Sequence, residues 1–385
     1  MRIAFLNWRD TSHPDGGGAE HYAEEVCAGL AARGHDVTLF CAHVDGVAAA
    51  ETRRGFTVRR HGGRQTVYPL GLMALRREER RAGDFDVVID TQNGLSFGAS
   101  LLRRRRVVVL VHHVHKEQWP VVFGPLTARL GWYVESRLLP RLQRGREHVA
   151  VSERTREELG EHGVDVSDVC VIHNGTDRPL RTTLARSPHP TLVVLGRLVP
   201  HKRVEQAIDV TNALRSTYPG LRLRVIGEGW WHERILEHAR TTGAADVVDV
   251  LGFVPEPDKH AELAAAWVAL APSIKEGWGL CVVEAASHGV PTVAYHDAGG
   301  LSESIVDGES GVLVRSFAQM VRVVDELLGD ESRREAMGRR AAQHAGRFTW
   351  EETVDAWDAL LRGSHPQGEH STAASTSGAR GSHVG

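Results

Sequence analysis

The chain has 385 residues, 42% of them hydrophobic and 25% charged, with a formal net charge of −3. That length exceeds one ordinary core and predicts two domains, and the near-neutral balance gives no argument for nucleic acid as a partner. The four cysteines, Cys27, Cys41, Cys170 and Cys281, form no CxxC pair, which fits a reducing cytoplasm and argues against a structural zinc.

In chain order, residues 3–6 read as a short buried strand. This N-terminal apolar run is too short for a signal peptide, and no stretch approaches a membrane span, so a cytoplasmic protein is expected. A turn-rich stretch ends in Gly16-Gly17-Gly18-Ala19-Glu20. A helical pattern follows through Tyr22, Val26, Ala28 and Leu30, closed by Gly34, and residues 37–40 are the next strand. Strand, glycine loop, helix and strand make a βαβ beginning. The loop is not G-x-G-x-x-G, so its glycines point to close approach of a ligand or backbone rather than to a dinucleotide.

The alternation continues with strands at 56–58, 86–90 and 107–111 and helices at 70–81 and 95–102. Asp84 and Asp86 form an Asp-x-Asp pair of the kind that holds a metal on a diphosphate. They precede a strand, however, and so belong to the rim opposite the strand ends. Protein cations rather than Mg²⁺ are therefore expected to neutralise any diphosphate, with no metal and no cofactor. Arg103, Arg104, Arg105 and Arg106 read as the basic last turn of a helix, with a patch for a membrane surface as the alternative.

The strand at 107–111 empties into His112-His113-Val114-His115-Lys116-Glu117-Gln118-Trp119-Pro120. Ligands of open parallel sheets bind beyond the carboxyl ends of the strands, so this loop and the glycine loop should share a rim. Three histidines without fixed carboxylate or thiolate company make a poor metal set. His112, directly at the strand end, is the expected donor to a ligand. His113, His115, Trp119 and Glu20 are further candidates on this rim.

A helix at 126–142, a strand at 149–151, a helix capped by Ser152 and a strand at 169–172 complete the first half. The first domain is expected at 1–180 and a linker at 181–190. A second domain with the same alternation is expected at 191–347, a returning helix at 348–362 and a disordered tail at 363–385. In the second domain the strand-end loops bring Arg197, Lys202, Gly227, Gly252, Glu276 and Gly299-Gly300 together. The densest is Lys275-Glu276-Gly277-Trp278-Gly279-Leu280, with Glu284 eight residues after Glu276. A glycine turn entering a helix offers free amides to an anion. Two carboxylates beside it accept hydrogen bonds from sugar hydroxyls. Arg197 and Lys202 complete a pyrophosphate clamp. By itself the stretch also fits a helix start whose acid complements the dipole.

Taken together, Gly17-Gly18-Ala19-Glu20, His112, Ser152-Glu153, Asn174-Gly175, Gly196-Arg197 with Lys202, Gly227-Glu228-Gly229, Gly252-Phe253-Val254 and Glu276-x7-Glu284 resemble the retaining family 4 glycosyltransferases of the GT-B fold. The likeness covers residues 1 to about 362. It implies an α/β protein of two Rossmann-like parallel-sheet domains facing across a cleft. It implies a nucleotide-sugar donor, a UDP-sugar before GDP-mannose, and a hydroxyl acceptor that is a carbohydrate, a secondary metabolite or a lipid-linked sugar, with Glu20, His113, His115 and Trp119 on the acceptor side. Arg197 and Lys202 would hold the phosphates, Glu284 the ribose, Glu276 with the amides of residues 277–280 the donor sugar, and Phe253-Val254 the base. His112 would lie near the reacting carbon, and Gly17-Gly18 would approach the diphosphate from the other domain. The alternatives are a nucleotide-sugar epimerase and a non-catalytic nucleotide-sugar binder.

Overall fold

In the computed structural model, residues 1–14, 16–101, 106–116, 119–177 and 186–364 are described. Arg103, Arg104 and Arg105, half of the expected linker and nearly all of the expected tail lie outside them. The first sheet contains β1 (Arg2–Leu6), β2 (Asp36–Cys41), β3 (Ala50–Arg53), β4 (Phe56–Arg60), β5 (Val87–Gln92), β6 (Arg106–Val111), β7 (Glu147–Ala150) and β8 (Val169–Val171). Its order is β3-β4-β2-β1-β5-β6-β7-β8, parallel throughout except for the β3–β4 hairpin. Valine-rich β6 sits inside the sheet and is buried on both faces, as a continuous apolar run requires.

Helices α1 (Gly18–Ala32), α2 (Val67–Ala82), α3 (Trp119–Val122), α4 (Pro125–Tyr133), α5 (Leu139–Leu142) and α6 (Glu153–Glu161) surround this sheet. A π-helical turn, Val134–Leu138, joins α4 to α5. The second sheet is all parallel, in the order β11-β10-β9-β12-β13-β14. Its strands are β9 (Thr191–Leu195), β10 (Arg222–Ile226), β11 (Val248–Gly252), β12 (Val268–Ala271), β13 (Thr292–Tyr295) and β14 (Gly311–Val314). Around it lie α7 (Val204–Leu214), α8 (His232–Thr241), α9 (Glu256–Ala265), α10 (Leu280–Ser287), α11 (Leu301–Ser304), α12 (Phe317–Gly329) and α13 (Glu331–Ala345).

The final helix, α14 (Trp350–Arg362), starts with a Thr349/Glu352 capping box and packs on α1 of the first domain. Trp357 donates its indole N–H to the Tyr22 hydroxyl at 2.6 Å, and His35 meets Asp358 at 2.7 Å. Gly175 lets this crossing happen, because a Cβ there would lie 2.3 Å from the Trp350 nitrogen. That close approach accounts for Gly175 as a packing requirement.

Two expected elements differ. In place of a helix at 95–102 there is a single 3₁₀ turn, Ala99–Leu101. The buried Asp90 carboxylate within β5 accepts the Phe97 and Ala99 amides, each at 2.8 Å, and ties that segment into a turn. Strand β3 was not foreseen. Its sequence, Ala-Glu-Thr-Arg, has no apolar alternation, and it survives as a sheet edge through hydrogen bonding to β4. The Asp84/Asp86 pair does lie at the opposite rim, where Asp86 accepts the Arg2 amide at 2.7 Å.

Candidate active-site cleft

The carboxyl ends of the strands in both sheets face each other. After β12 the chain runs through Ser273, Lys275 and Glu276 into the turn Gly277-Trp278-Gly279 and then α10. Gly279 adopts a left-handed conformation, φ 93°, and a Cβ there would come 2.3 Å from Leu301, so glycine is required on both counts. Glu276 is held by Lys202, Nζ to Oε1 2.5 Å, and by the Ser273 hydroxyl, which donates to the same oxygen at 2.6 Å. Burial pulls the Glu276 pKa up, but the Lys202 charge and these hydrogen bonds hold it below its usual range. Lys202 is the mirror case: burial lowers its pKa, and Glu276 raises it above the ordinary lysine value.

Glu284 is gripped by Lys259 at 2.7 Å, and Lys259 also meets Glu256 at 2.6 Å. Arg197 is exposed, and among the described residues no carboxylate lies within ion-pair distance of it. It reaches across the cleft: a Cβ on Gly17 would lie 3.3 Å from its Nε, and one on Gly18 would lie 2.8 Å from Leu280. The two glycine loops therefore meet. So do Gly277 and His112, since a Cβ on Gly277 would lie 2.0 Å from the His112 carbonyl oxygen.

The His112 ring is 6% exposed and stands edge-on to Tyr22 at 5.2 Å, and its Nε2 has no hydrogen-bond partner. Burial and the neighbouring His115 push its pKa down to about 4, so it is a neutral imidazole at physiological pH. His113 is likewise held well below its usual value by burial, and stacks at 4.0 Å on His115. Among the described residues, no group of three His, Cys, Asp or Glu is arranged to hold a metal ion.

Several expected site residues have structural duties. Glu20 is buried and accepts the Gly17 amide at 2.8 Å, so it shapes the glycine loop. Trp119 donates its indole N–H to Glu135 at 2.6 Å, and His115 bonds the same carboxylate at 3.0 Å. The Trp278 ring is buried between His173, at 4.3 Å, and Phe348, at 4.8 Å, so only its backbone faces the turn. Gly227 packs where a Cβ would lie 2.0 Å from the Gly196 carbonyl oxygen, which positions the Arg197 loop. Phe253 is exposed, and Val254 packs against the second domain's core.

Sequence reasoning missed the contacts that join the domains. Glu303 accepts the backbone amides of Glu153 and Arg154 at the start of α6, both at 2.8 Å, and lies 3.4 Å from His173. Lys275 pairs with Glu158 at 2.8 Å. Lys259 was also missed, although a signal existed. Of the 46 basic residues only four are lysines, and Lys202, Lys259 and Lys275 each hold a carboxylate in this cleft.

Comparison with known proteins supplies the family. The Glycosyltransferase Family 4 model matches residues 16–178, and the Glycosyl transferases group 1 model matches residues 180–344. A D-inositol 3-phosphate glycosyltransferase of Geodermatophilus obscurus is 31% identical over 391 residues, covering 89% of this chain and 83% of that protein. One of the same name from Segniliparus rotundus is 34% identical over 207 residues, covering 51% of this chain and 46% of its own length. Among solved structures, the sucrose-phosphate synthase of Thermosynechococcus elongatus superposes with a TM-score of 0.80 at 18% identity, covering 94% of this chain and 98% of the other. HepE of Anabaena, solved with UDP-glucose, gives a TM-score of 0.73 at 20% identity, covering 94% and 100%. With these matches running through both of its α/β domains, the chain belongs to the group 1, family 4 glycosyltransferases of the GT-B fold.

Proposed function

We propose that this protein transfers a hexosyl group from a nucleoside diphosphate sugar, a UDP-sugar before GDP-mannose, to a hydroxyl acceptor, with retention of configuration and without a metal. The observation that carries the reading is the exposed Arg197, without a carboxylate partner among the described residues, set against Gly17 and beside the Lys202–Glu276 pair. A diphosphate bridging the two glycine loops would find its countercharge there.

The roles follow. Arg197 and Lys202 stabilise charge growing on the leaving diphosphate. Glu276 and the amides of Gly277, Trp278, Gly279 and Leu280 hold the donor sugar's hydroxyls. Glu284 holds the ribose, and the backbone at Phe253 and Val254 meets the base. His112 stays neutral and contacts the sugar next to its reacting carbon. Among the described residues of this arrangement there is no nucleophile–base pair, which suits front-face attack. The acceptor oxygen bonds to the anomeric carbon as the carbon–oxygen bond to the diphosphate breaks, and the departing phosphate oxygen takes the acceptor's proton.

The test is a screen of nucleotide-sugars against carbohydrate, polyol phosphate, aglycone and lipid-linked acceptors, with nucleoside diphosphate release as the readout. The polyol phosphates enter because of the relatives named for D-inositol 3-phosphate. Acceptor-dependent release, unchanged by EDTA, is expected. Interconversion of free donor without release would make the protein an epimerase, and donor binding without any turnover would make it a sensor.

A further inference from the structure

We propose that the outer face of α4, the π turn and α5 docks on an anionic lipid bilayer. This segment carries an exposed apolar series, with Leu126 83%, Leu130 63% and Tyr133 56% exposed, continued by Leu138 and Leu142. Such side chains at helical spacing normally face a core. Interleaved with them are Arg129, Arg137, Arg141 and Arg144, all exposed, none of them in an ion pair among the described residues. The segment's one acid between 119 and 146 is Glu135, which is turned inward onto His115 and Trp119. The outer face thus carries exposed arginines and apolar side chains and no acid, in a chain whose net charge is −3.

A second helix extends the surface. On α2, Leu70 and Met73 are exposed beside Arg76, Arg77, Arg80 and Arg81. Val107 packs in the cluster with Val67 and Leu75 of α2, whereas Val109 and Val111 pack in the cluster with Trp132 of α4. Alternate residues of β6 share one face, so both helices cover the same side of the sheet.

Charge complementarity selects the occupant. A two-fold contact between copies would set arginine against arginine. Leucines interleaved with arginines match the boundary between acyl chains and anionic headgroups. No described helix is long and apolar enough to cross a membrane, so the contact is peripheral.

The test is co-sedimentation of the full chain with phosphatidylcholine vesicles and with vesicles enriched in phosphatidylglycerol. Binding to the second alone, weakening with salt, is expected. The triple variant Arg129→Glu, Arg137→Glu, Arg141→Glu should lower that partitioning by about a hundredfold. Leu126→Ser with Leu130→Ser should lower it by roughly tenfold or more while circular dichroism and nucleoside diphosphate affinity stay unchanged. Absence of binding to the anionic vesicles, or variants that bind as the parent does, overturns the proposal. So does a change of oligomeric state in sedimentation velocity in place of a change in vesicle binding, or binding to duplex oligonucleotide that displaces the vesicles.

Discussion

The Lys202–Glu276 pair separates stability from catalysis. The two side chains are 18% and 12% exposed and meet at 2.5 Å. Lys202→Met leaves Glu276 in surroundings where burial raises its pKa, and removing one partner of a buried pair costs about 3 kcal/mol. Glu276→Gln leaves the ammonium alone, but Ser273 still donates to the amide oxygen, so about 2 kcal/mol is expected. The double variant removes both charges and should recover roughly 2 kcal/mol relative to the sum of the singles. Turnover should not recover. In the proposed reaction the diphosphate would lose a cation and the sugar an acceptor, so all three variants should fall by roughly a hundredfold or more in kcat/KM. Denaturant unfolding of the four proteins, with nucleoside diphosphate release measured in parallel, decides the matter. Additive stability losses, or a double variant with turnover close to the parent's, would refute the reasoning.

Gly277→Ala should leave folding intact, because its Cβ would strike only the His112 carbonyl of the other domain, and should abolish turnover with the melting temperature unchanged. Glu303→Ala removes a carboxylate from the amides of Glu153 and Arg154, worth about 1.5–3 kcal/mol of domain contact. Slower turnover and an expanded solution-scattering profile are expected. Burial holds His112, His201 and His288 at about 4 against an ordinary value of 6.5. The unfolded chain therefore takes up their protons first, so melting temperature should fall as pH drops from about 6.5 towards 4, and the fall should shrink in His112→Asn. Lys259→Met frees Glu284 and should raise donor KM more than it lowers kcat, as steady-state kinetics with varied donor would record.

The alternation of buried strands and helices was legible because parallel strands are continuous apolar runs, as in residues 107–111. The Glu276-x7-Glu284 spacing was legible because a glycine turn, a helix start and acids stand close together in the chain. Polar β3 was not, since a sheet edge can form from backbone bonds alone. The collapsed helix at 95–102 was not, because Asp90's preference for the Phe97 and Ala99 amides depends on where the sheet buries it. Trp278 looked like a site residue by position, and its ring is claimed by the packing of His173 and Phe348. The pairs Glu303 with α6, Lys275 with Glu158 and Lys259 with Glu284 join residues far apart in sequence, which local pattern cannot read.

Those ion pairs also bear on how the acids would recognise a donor. An ionised carboxylate has about four lone-pair positions on two oxygens. On Glu276, Lys202 and Ser273 both use Oε1, and on Glu284, Lys259 also uses Oε1. Each acid is thus anchored through one oxygen, and in the proposed reaction offers the other to a hydroxyl. The lysines need not leave when the donor arrives, so little side-chain ordering remains to be done on binding. Arg197, on the side of the cleft that Gly17 faces, has no carboxylate within ion-pair distance among the described residues. A ligand with hydroxyls but no diphosphate would satisfy the acids and leave Arg197 without a countercharge. One with a diphosphate but no sugar would do the reverse. Only a molecule carrying both would engage the acids and Arg197 together, and its diphosphate is the part that would also reach the Gly17 loop of the first domain.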